Sequence, residues 1–202
     1  MFLARRPSRE AIDHFLRDSL ALPVSYGPIG VVNGDAPCRD LDEAIVTIGR
    51  GRADFDRASA ALMGWRQFEI GWVETFPCHP PVEVGTVVAV LIRHLGFWSL
   101  NGCRVLYTVD GIDRVGFAYG TLTNHAESGE ELFDVILDPE SDEVKYRIRG
   151  TSKPQAALAS IGQPIVRVLQ ARFRRDSGMA MKRAMAESGS SGVAGQDRVP
   201  TG

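Results

Sequence analysis

The feature that most constrains this chain is a succession of strand patterns between residues 68 and 150. Six segments rich in β-branched and aromatic residues follow one another, separated by turn residues: 68–76, 86–95, 102–109, 114–122, 131–137 and 143–149. This spacing is typical of an antiparallel meander. In the last segment Val144, Tyr146 and Ile148 alternate with charged residues, so one face of the sheet is expected to be polar.

Helical patterns flank these strands. A strand at 44–49 precedes a helix at 54–65, in which apolar residues lie three or four apart, and a further helix begins after Ser8. Pro164 introduces a long helix with an apolar stripe and an opposed basic face. Residues 187–202 contain few apolar side chains, so they are predicted to form a disordered tail.

This order of elements predicts an α+β fold, in which a curved antiparallel sheet of about six to seven strands wraps on the long C-terminal helix. The order is similar to the helix-grip architecture of START-like and Bet v 1-like proteins, a likeness of fold that carries no function by itself. We expect an N-terminal helix and connection at 1–43, a helix-grip domain at 44–186 and the tail at 187–202. A ligand cavity is expected between the sheet and the long helix.

Bulk properties exclude several classes of function. The chain has 23 basic and 25 acidic side chains, a formal charge of −2, so no nucleic-acid partner is expected. Cys38, Cys78 and Cys103 lack metal-ligand spacing, which favours a reducing, cytoplasmic location. The chain has no run of about 18 apolar residues, so no membrane span is expected. No phosphate-binding loop or dinucleotide fingerprint is present, and the four histidines are dispersed, so neither a cofactor nor a metal is expected.

The most specific motif is GTLTNHAESGEE, which begins at Gly120 and lies in the predicted hairpin 116–133. Together with ALMGWRQFEIGWV from Ala61, VEVGTVVAVLIRHLGFWSLNGCRV from Val82 and LQARFRRDSGMAMKRA from Leu169, it resembles the bacterial and plant family called domain of unknown function 1990, or uncharacterised protein family 0548. The resemblance covers nearly everything from about residue 20 to 185. It implies membership of the START-like superfamily, whose other members hold lipids, quinones, polyketides or hormones and sometimes cyclise or hydrolyse them. It implies no catalytic residue for this chain.

The hairpin tip contains a candidate acid–base group. His125 lies five and six residues before Glu130 and Glu131. A histidine near carboxylates can serve as a general acid or base close to neutral pH. The more ordinary interpretation is that these polar groups hold the turn together through hydrogen bonds to the backbone.

Candidate ligand-binding residues fall into two groups. Arg93, Asn101 and His125 could orient a polar or anionic end of a ligand, although Arg93 could equally pair with an acid on a neighbouring strand. Aromatic side chains with a polar handle could form the wall of a pocket, or could belong to the core: Trp98, Tyr107 and Tyr119.

Three hypotheses follow. The first is a protein that binds a small hydrophobic or amphipathic molecule between the sheet and the C-terminal helix. The second is an enzyme of the cyclase or hydrolase type that uses His125 with Glu130 or Glu131. The third is an interaction protein that uses the basic face of the C-terminal helix, for which a solvated surface is the ordinary alternative. The ligand and the oligomeric state are not predicted.

Overall fold

A computed structural model describes residues 2–34, 41–94, 96–154 and 163–193. Three α-helices are present in these ranges: α1 (Arg9–Ser19), α2 (Gly51–Met63) and α3 (Gln163–Val193). A short 3₁₀ helix spans Arg66–Phe68. The strands are β1 (Phe2–Leu3), β2 (Asp42–Arg50), β3 (Val73–Phe76), β4 (Val87–His94), β5 (Phe97–Gly111), β6 (Arg114–Thr121), β7 (Glu127–Leu137) and β8 (Glu143–Pro154).

All eight strands belong to one antiparallel sheet. Strands β3 to β8 follow one another as a meander, and β2 adds to the outer side of β8, which gives the order β2-β8-β7-β6-β5-β4-β3. The two-residue strand β1 pairs with the start of β5. The sheet curls into a half-barrel around α2 and α3, so the predicted α+β helix-grip class is confirmed.

The concave face of the sheet carries the main core. Helices α2 and α3 pack on it, with the 3₁₀ helix between them. Phe68 lies at the centre, where its ring is 5.5 Å from Phe133 and 5.4 Å from Phe173 of α3. Trp65 and Phe117 pack beside it in a tilted arrangement, with their ring centroids 4.8 Å apart. Because aromatic rings from the sheet and from both helical segments meet here, this layer of the interior is densely packed.

The convex face is covered as well. Helix α1 places Ile12 against Leu91 and Leu100, with the rings of Phe76 and Trp98 beside them. Further along, Val32 packs on Ala118 and Leu132. A sheet that is covered on both faces buries nearly every strand residue near its middle, which explains why the strand patterns in the sequence are so rich in apolar residues.

Several boundaries differ from the sequence predictions. Strand β7 starts at Glu127 rather than at 131, so Ser128, Gly129 and Glu130 belong to a strand and the hairpin tip is shorter. Strand β5 starts at Phe97, which places Trp98 and Asn101 in a regular strand. Helix α3 continues to Val193, beyond position 187 where the tail was expected to begin. Residues 194–202 and Cys38 lie outside the described ranges. None of the helices in those ranges is long and apolar enough to cross a membrane.

Candidate functional site

A groove of about 430 Å³ runs between α3 and the β2–β8 edge of the sheet. Ala44, Val46, Tyr146 and Ile148 form its apolar floor. Three cations and two exposed apolar side chains line it from α3: Arg174, Arg175, Lys182, Ala171 and Met179. We call this space the α3 groove.

A line of polar residues crosses the concave face beside Arg174. The register pairs Tyr119 of β6 with Glu131 of β7, Glu131 with Gly150 of β8, and Gly150 with Asp42 of β2. Paired residues in neighbouring strands point to the same side of a sheet, so these four positions form one row, called here the polar row. The adjacent row contains Phe117, Phe133, Ile148 and Ala44, which places the polar row directly beside the aromatic core.

Glu131 has the most perturbed environment in the polar row. Tyr119 Oη donates a hydrogen bond of 2.7 Å to Glu131 Oε2. Burial raises the pKa of Glu131 to about 7, and the nearby carboxylates of Glu127 and Asp42 act in the same direction. The Tyr119 hydrogen bond and the positive charge of Arg174 partly oppose this rise. Glu131 is therefore a carboxyl group that exchanges its proton near neutral pH.

Gly150 leaves a gap in the polar row. A Cβ atom placed on Gly150 would lie 3.6 Å from Glu131 Cγ and 3.8 Å from Glu131 Oε1. On the far side of this gap, Asp42 Oδ2 forms an ion pair with Arg174 Nη1 at 3.3 Å. Arg174 thus lines the α3 groove and acts electrostatically on Glu131, which links the groove to the polar row.

A second polar group lies towards the hairpin tip. The side-chain amide of Gln170 on α3 donates to Glu127 Oε2 at 3.1 Å and to Ser152 Oγ at 2.8 Å. Burial raises the pKa of Glu127, and these two hydrogen-bonding neighbours oppose the rise. This end of the sheet therefore holds a second carboxylate beside the α3 helix, and that carboxylate is bonded to side chains on both β8 and α3.

His125 lies at the hairpin tip, where its Nδ1 atom accepts a 2.8 Å hydrogen bond from the backbone N–H of Glu127. Burial lowers its pKa to about 4. An accepting Nδ1 requires the unprotonated form, so the imidazole is neutral at pH 7 and carries its proton on Nε2. Asn101 is close by, because its Oδ1 accepts a 3.4 Å bond from the backbone N–H of Ala126. Both side chains bond to the backbone of the turn, and for His125 this is the kind of bond that the ordinary interpretation of the motif expects.

Glu130 lies on the opposite face from Glu131. It is 2% exposed on the convex side and accepts hydrogen bonds from Tyr26 Oη at 2.6 Å, Gly30 N–H at 2.8 Å and Tyr107 Oη at 2.6 Å. Three donors occupy its carboxylate, so Glu130 anchors the segment before β2 to the sheet. Among the described residues no hydrogen bond joins Glu130 to His125, because Glu130 is bonded to these three donors and His125 to the backbone N–H of Glu127.

Three further candidates also lie on the convex side. Arg93 pairs with Trp98 across β4 and β5, and both point away from the concave face. The Arg93 side chain is exposed, and Trp98 packs beside α1 with the guanidinium of Arg6 over its ring at 5.9 Å. Tyr107 is engaged by Glu130. None of these three contributes to the α3 groove or the polar row; of the aromatic candidates, only Tyr119 does.

Sequence reasoning missed Asp42 and Gly150, and it assigned Arg174 only to the basic face of the C-terminal helix. Their proximity depends on strand register and on the docking of α3, neither of which a local pattern reveals. The alternation of Glu131 with Phe133 and Val135 was the one available signal, because it places a carboxylate on the apolar face of a strand. Within the described ranges no three His, Cys, Asp or Glu side chains are grouped to hold a metal ion.

A curled antiparallel sheet with a long C-terminal helix across its concave face, and a polar row beside that helix, defines a helix-grip protein. The chain belongs to the family described as "Domain of unknown function (DUF1990)", whose model matches residues 26–180. A UPF0548 protein of Dictyostelium discoideum is 30% identical over 93% of this chain and 97% of the relative. One from Deinococcus radiodurans is 33% identical over 91% of this chain and 98% of the relative.

The chain is also similar to solved structures of low sequence identity. The crystal structure of Ara h 8.0201 has a TM-score of 0.48 and 12% identity, covering 73% of this chain and 97% of that one. A norcoclaurine synthase from Thalictrum has a TM-score of 0.48 and 11% identity, covering 73% of this chain and 94% of that one.

The relatives in the family include a UPF0548 protein of Arabidopsis thaliana, 31% identical over 70% of this chain and 71% of the relative, so the family is not restricted to bacteria.

Proposed function

We propose that this protein binds a small, largely apolar molecule with an anionic end in the α3 groove. The observation that carries the proposal is the combination of an apolar floor on β2 and β8 with three cations from one helix. An apolar chain would be removed from water on the floor, and a carboxylate would be received by a guanidinium or ammonium group. The proposal keeps the ligand class expected from sequence but assigns it to different residues.

The three cations differ in how well they could bind the anionic end of a ligand. Arg174 is largely buried and paired with the exposed carboxylate of Asp42, so an incoming carboxylate could replace Asp42 at the same guanidinium. Arg175 is bonded to Asp176 at 2.9 Å. Lys182 is exposed and lies eight residues along α3 from Arg174, which corresponds to about 12 Å along the helix axis. A ligand lying in the groove would therefore have a basic group near each end.

The test compares a carboxylate with an uncharged analogue of the same length. Decanoate and 1-decanol are titrated into the purified protein, and the midpoint of thermal unfolding is followed. A ligand that binds only the folded state at one hundred times its Kd stabilises it by about 2.7 kcal/mol. We expect both compounds to raise the midpoint, decanoate more than decanol.

Two substitutions on α3 provide the matched pair. Ala171→Phe places a ring in the groove, whereas Ala186→Phe adds the same ring to an exposed position of α3 outside it. We expect Ala171→Phe to remove the ligand-induced shift and Ala186→Phe to retain it. If neither compound shifts the midpoint, or if both variants respond alike, the groove is not the binding site.

The structure bears differently on the two alternative hypotheses, the acid–base enzyme and the interaction protein. An acid–base enzyme would have to use Glu131, since Glu130 faces the other way. For an interaction protein, the basic face of α3 offers less than its sequence suggests: Arg172 lies over Trp72 and bonds to Asp176, and Arg183 donates to the backbone oxygen of Glu69. The cytoplasmic location stays part of the proposal, and the free thiols of Cys78 and Cys103 are consistent with it.

A further inference from the structure

We propose that Glu131 is a catalytic general base and Tyr119 its positioning residue, acting on the part of a bound molecule that reaches from the α3 groove to the polar row. The inference rests on the proposed function, because it needs a molecule in that groove. It adds a reaction class, the removal of a proton from a weakly acidic C–H or O–H bond.

The geometry of the carboxylate supports this role. Tyr119 Oη holds Glu131 Oε2 at 2.7 Å, which fixes the orientation of the carboxylate. The other oxygen, Oε1, is on the side of Gly150, where the missing side chain leaves room for a reacting atom. Glu131 is partly accessible to solvent, whereas Tyr119 and the neighbouring Phe133 are buried. A base must be held firmly and still be reachable, and the arrangement meets both requirements.

The titratable groups around Glu131 come from six elements, β2, β5, β6, β7, β8 and α3. Tyr119 and Glu127 belong to the hairpin, Asp42 and Arg174 face it from β2 and α3, and Cys103 and Tyr146 lie further along the concave face. The pKa values of Cys103, Tyr119 and Tyr146 are raised, first by burial, so these three are neutral at pH 7. The pKa of Glu127 is raised as well, and Glu131, whose pKa is about 7, changes its protonation state near neutral pH.

A suitable probe is 5-nitrobenzisoxazole, which isomerises when a base removes the proton on C3. Glu131 would take that proton, the electron pair of the C–H bond would form the third bond of a nitrile, and the N–O bond would break to leave the electrons on a phenolate oxygen. Protonated Glu131 then returns its proton to water. The step needs no oxidant, reductant or second substrate, and the coloured phenolate reports its rate.

Initial rates are measured from pH 5 to pH 9 for the full chain and three variants. We expect a rate above buffer that rises with pH to a plateau, with an inflection near pH 7. Glu131→Gln, whose amide oxygen can still accept the Tyr119 hydrogen bond, should lower the protein-dependent rate about 100-fold. Glu127→Gln is the matched control on the same strand and should retain most of the rate.

Tyr119→Phe separates positioning from structure. Because the Tyr119 hydrogen bond lowers the pKa of Glu131, its removal should move the inflection to higher pH. This readout does not depend on Glu131→Gln folding, which is checked by thermal unfolding. An unshifted inflection in Tyr119→Phe, a Glu131→Gln variant as active as the parent, or loss of activity in Glu127→Gln would each overturn the inference.

The experiments distinguish a failure of the proposed ligand binding from a failure of the proposed general-base catalysis. If decanoate shifts the unfolding midpoint but the parent protein does not accelerate the reaction of the probe, the proposed binding function is retained. The role of Glu131 as a general base is then overturned. A protein that neither binds decanoate nor accelerates the probe would remove both. Equilibrium dialysis of the probe against the parent protein and Ala171→Phe, at a pH where the background reaction is slow, establishes whether the probe binds and whether the groove is needed.

Discussion

Glu130 and Glu131 are adjacent in sequence and face opposite sides of one strand. Glu130 bonds to Tyr26 and Tyr107 on the convex side, whereas Glu131 bonds to Tyr119 on the concave side. The same motif therefore supplies a structural anchor and a titratable group beside a groove. Their environments decide the difference: three donors satisfy the first carboxylate, and burial raises the pKa of the second.

The anchor predicts a loss of stability without a loss of binding. Glu130→Gln places an amide N–H₂ group against a donor, which then has no acceptor, so we expect the free energy of unfolding to fall by about 3 kcal/mol. Urea unfolding followed by tryptophan fluorescence measures it. Tyr26→Phe, which removes one donor and leaves two, should cost about 1 kcal/mol. A Glu130→Gln variant as stable as its parent would contradict the anchor, and decanoate should shift both variants as it shifts the parent.

Much of the fold was accessible from sequence because its signals are local. Two-residue alternation identified the strands of the meander, and three-to-four spacing identified α2 and α3. The ends of elements were less accurate: Ser128, Gly129 and Glu130 look like turn residues, yet they pair with β8. Gly129 explains why, since a Cβ there would lie 1.9 Å from the backbone oxygen of Thr151. A close approach between strands, rather than a turn, requires this glycine.

The site was less accessible because it depends on register and on faces. Arg93 and Trp98 have the chemistry of ligand-binding residues, but their side chains point to the convex side of the sheet. A shift of one residue in the strand register would have placed them on the concave side. Asp42 and Arg174 are 132 positions apart and meet only when β2 joins β8 and α3 lies across them. No pattern within a window of ten or twenty residues contains that information.

The pH dependence of stability should show two opposed contributions. Glu131 has a folded pKa of about 7, above its ordinary 4.5, so its contribution is complete below pH 4.5 and is lost as the pH rises through 7. His125 has a folded pKa of about 4, below its ordinary 6.5, so its contribution is complete above pH 6.5 and is lost as the pH falls towards 4. Between pH 4.5 and 6.5 the two offset each other.

Glu131→Gln should separate these contributions. Its stability relative to the parent should increase between pH 4.5 and pH 7.5 by on the order of 2–3 kcal/mol, because only the parent must ionise a buried carboxyl. Urea unfolding at intervals of half a pH unit measures the difference, with Glu43→Gln on the convex side as the control. A difference that does not change with pH would show that Glu131 ionises as freely in the folded protein as in the unfolded chain.

The pair between Asp42 and Arg174 predicts a gain of binding. Asp42→Asn removes the carboxylate that occupies Arg174, so decanoate should bind several-fold more tightly while 1-decanol is unaffected. Arg174→Gln should do the reverse and abolish the preference for the carboxylate. Calorimetric titration of both ligands gives the two ratios. Equal changes for acid and alcohol would mean that Arg174 does not receive the charged end.

Substitutions of Gly150 test access to the Glu131 carboxylate separately from folding. Its backbone does not adopt a positive φ, and a Cβ would make only ordinary contacts with Glu131, so Gly150→Ala should fold and be slightly more stable, by about 0.5 kcal/mol. Gly150→Leu fills the gap between Asp42 and Glu131 with a branched side chain. Because the gap is the proposed position of the reacting atom, we expect Gly150→Leu to lose the reaction of 5-nitrobenzisoxazole at an unchanged unfolding cooperativity, whereas Gly150→Ala retains part of it. Full activity in a folded Gly150→Leu protein would place the reacting atom elsewhere.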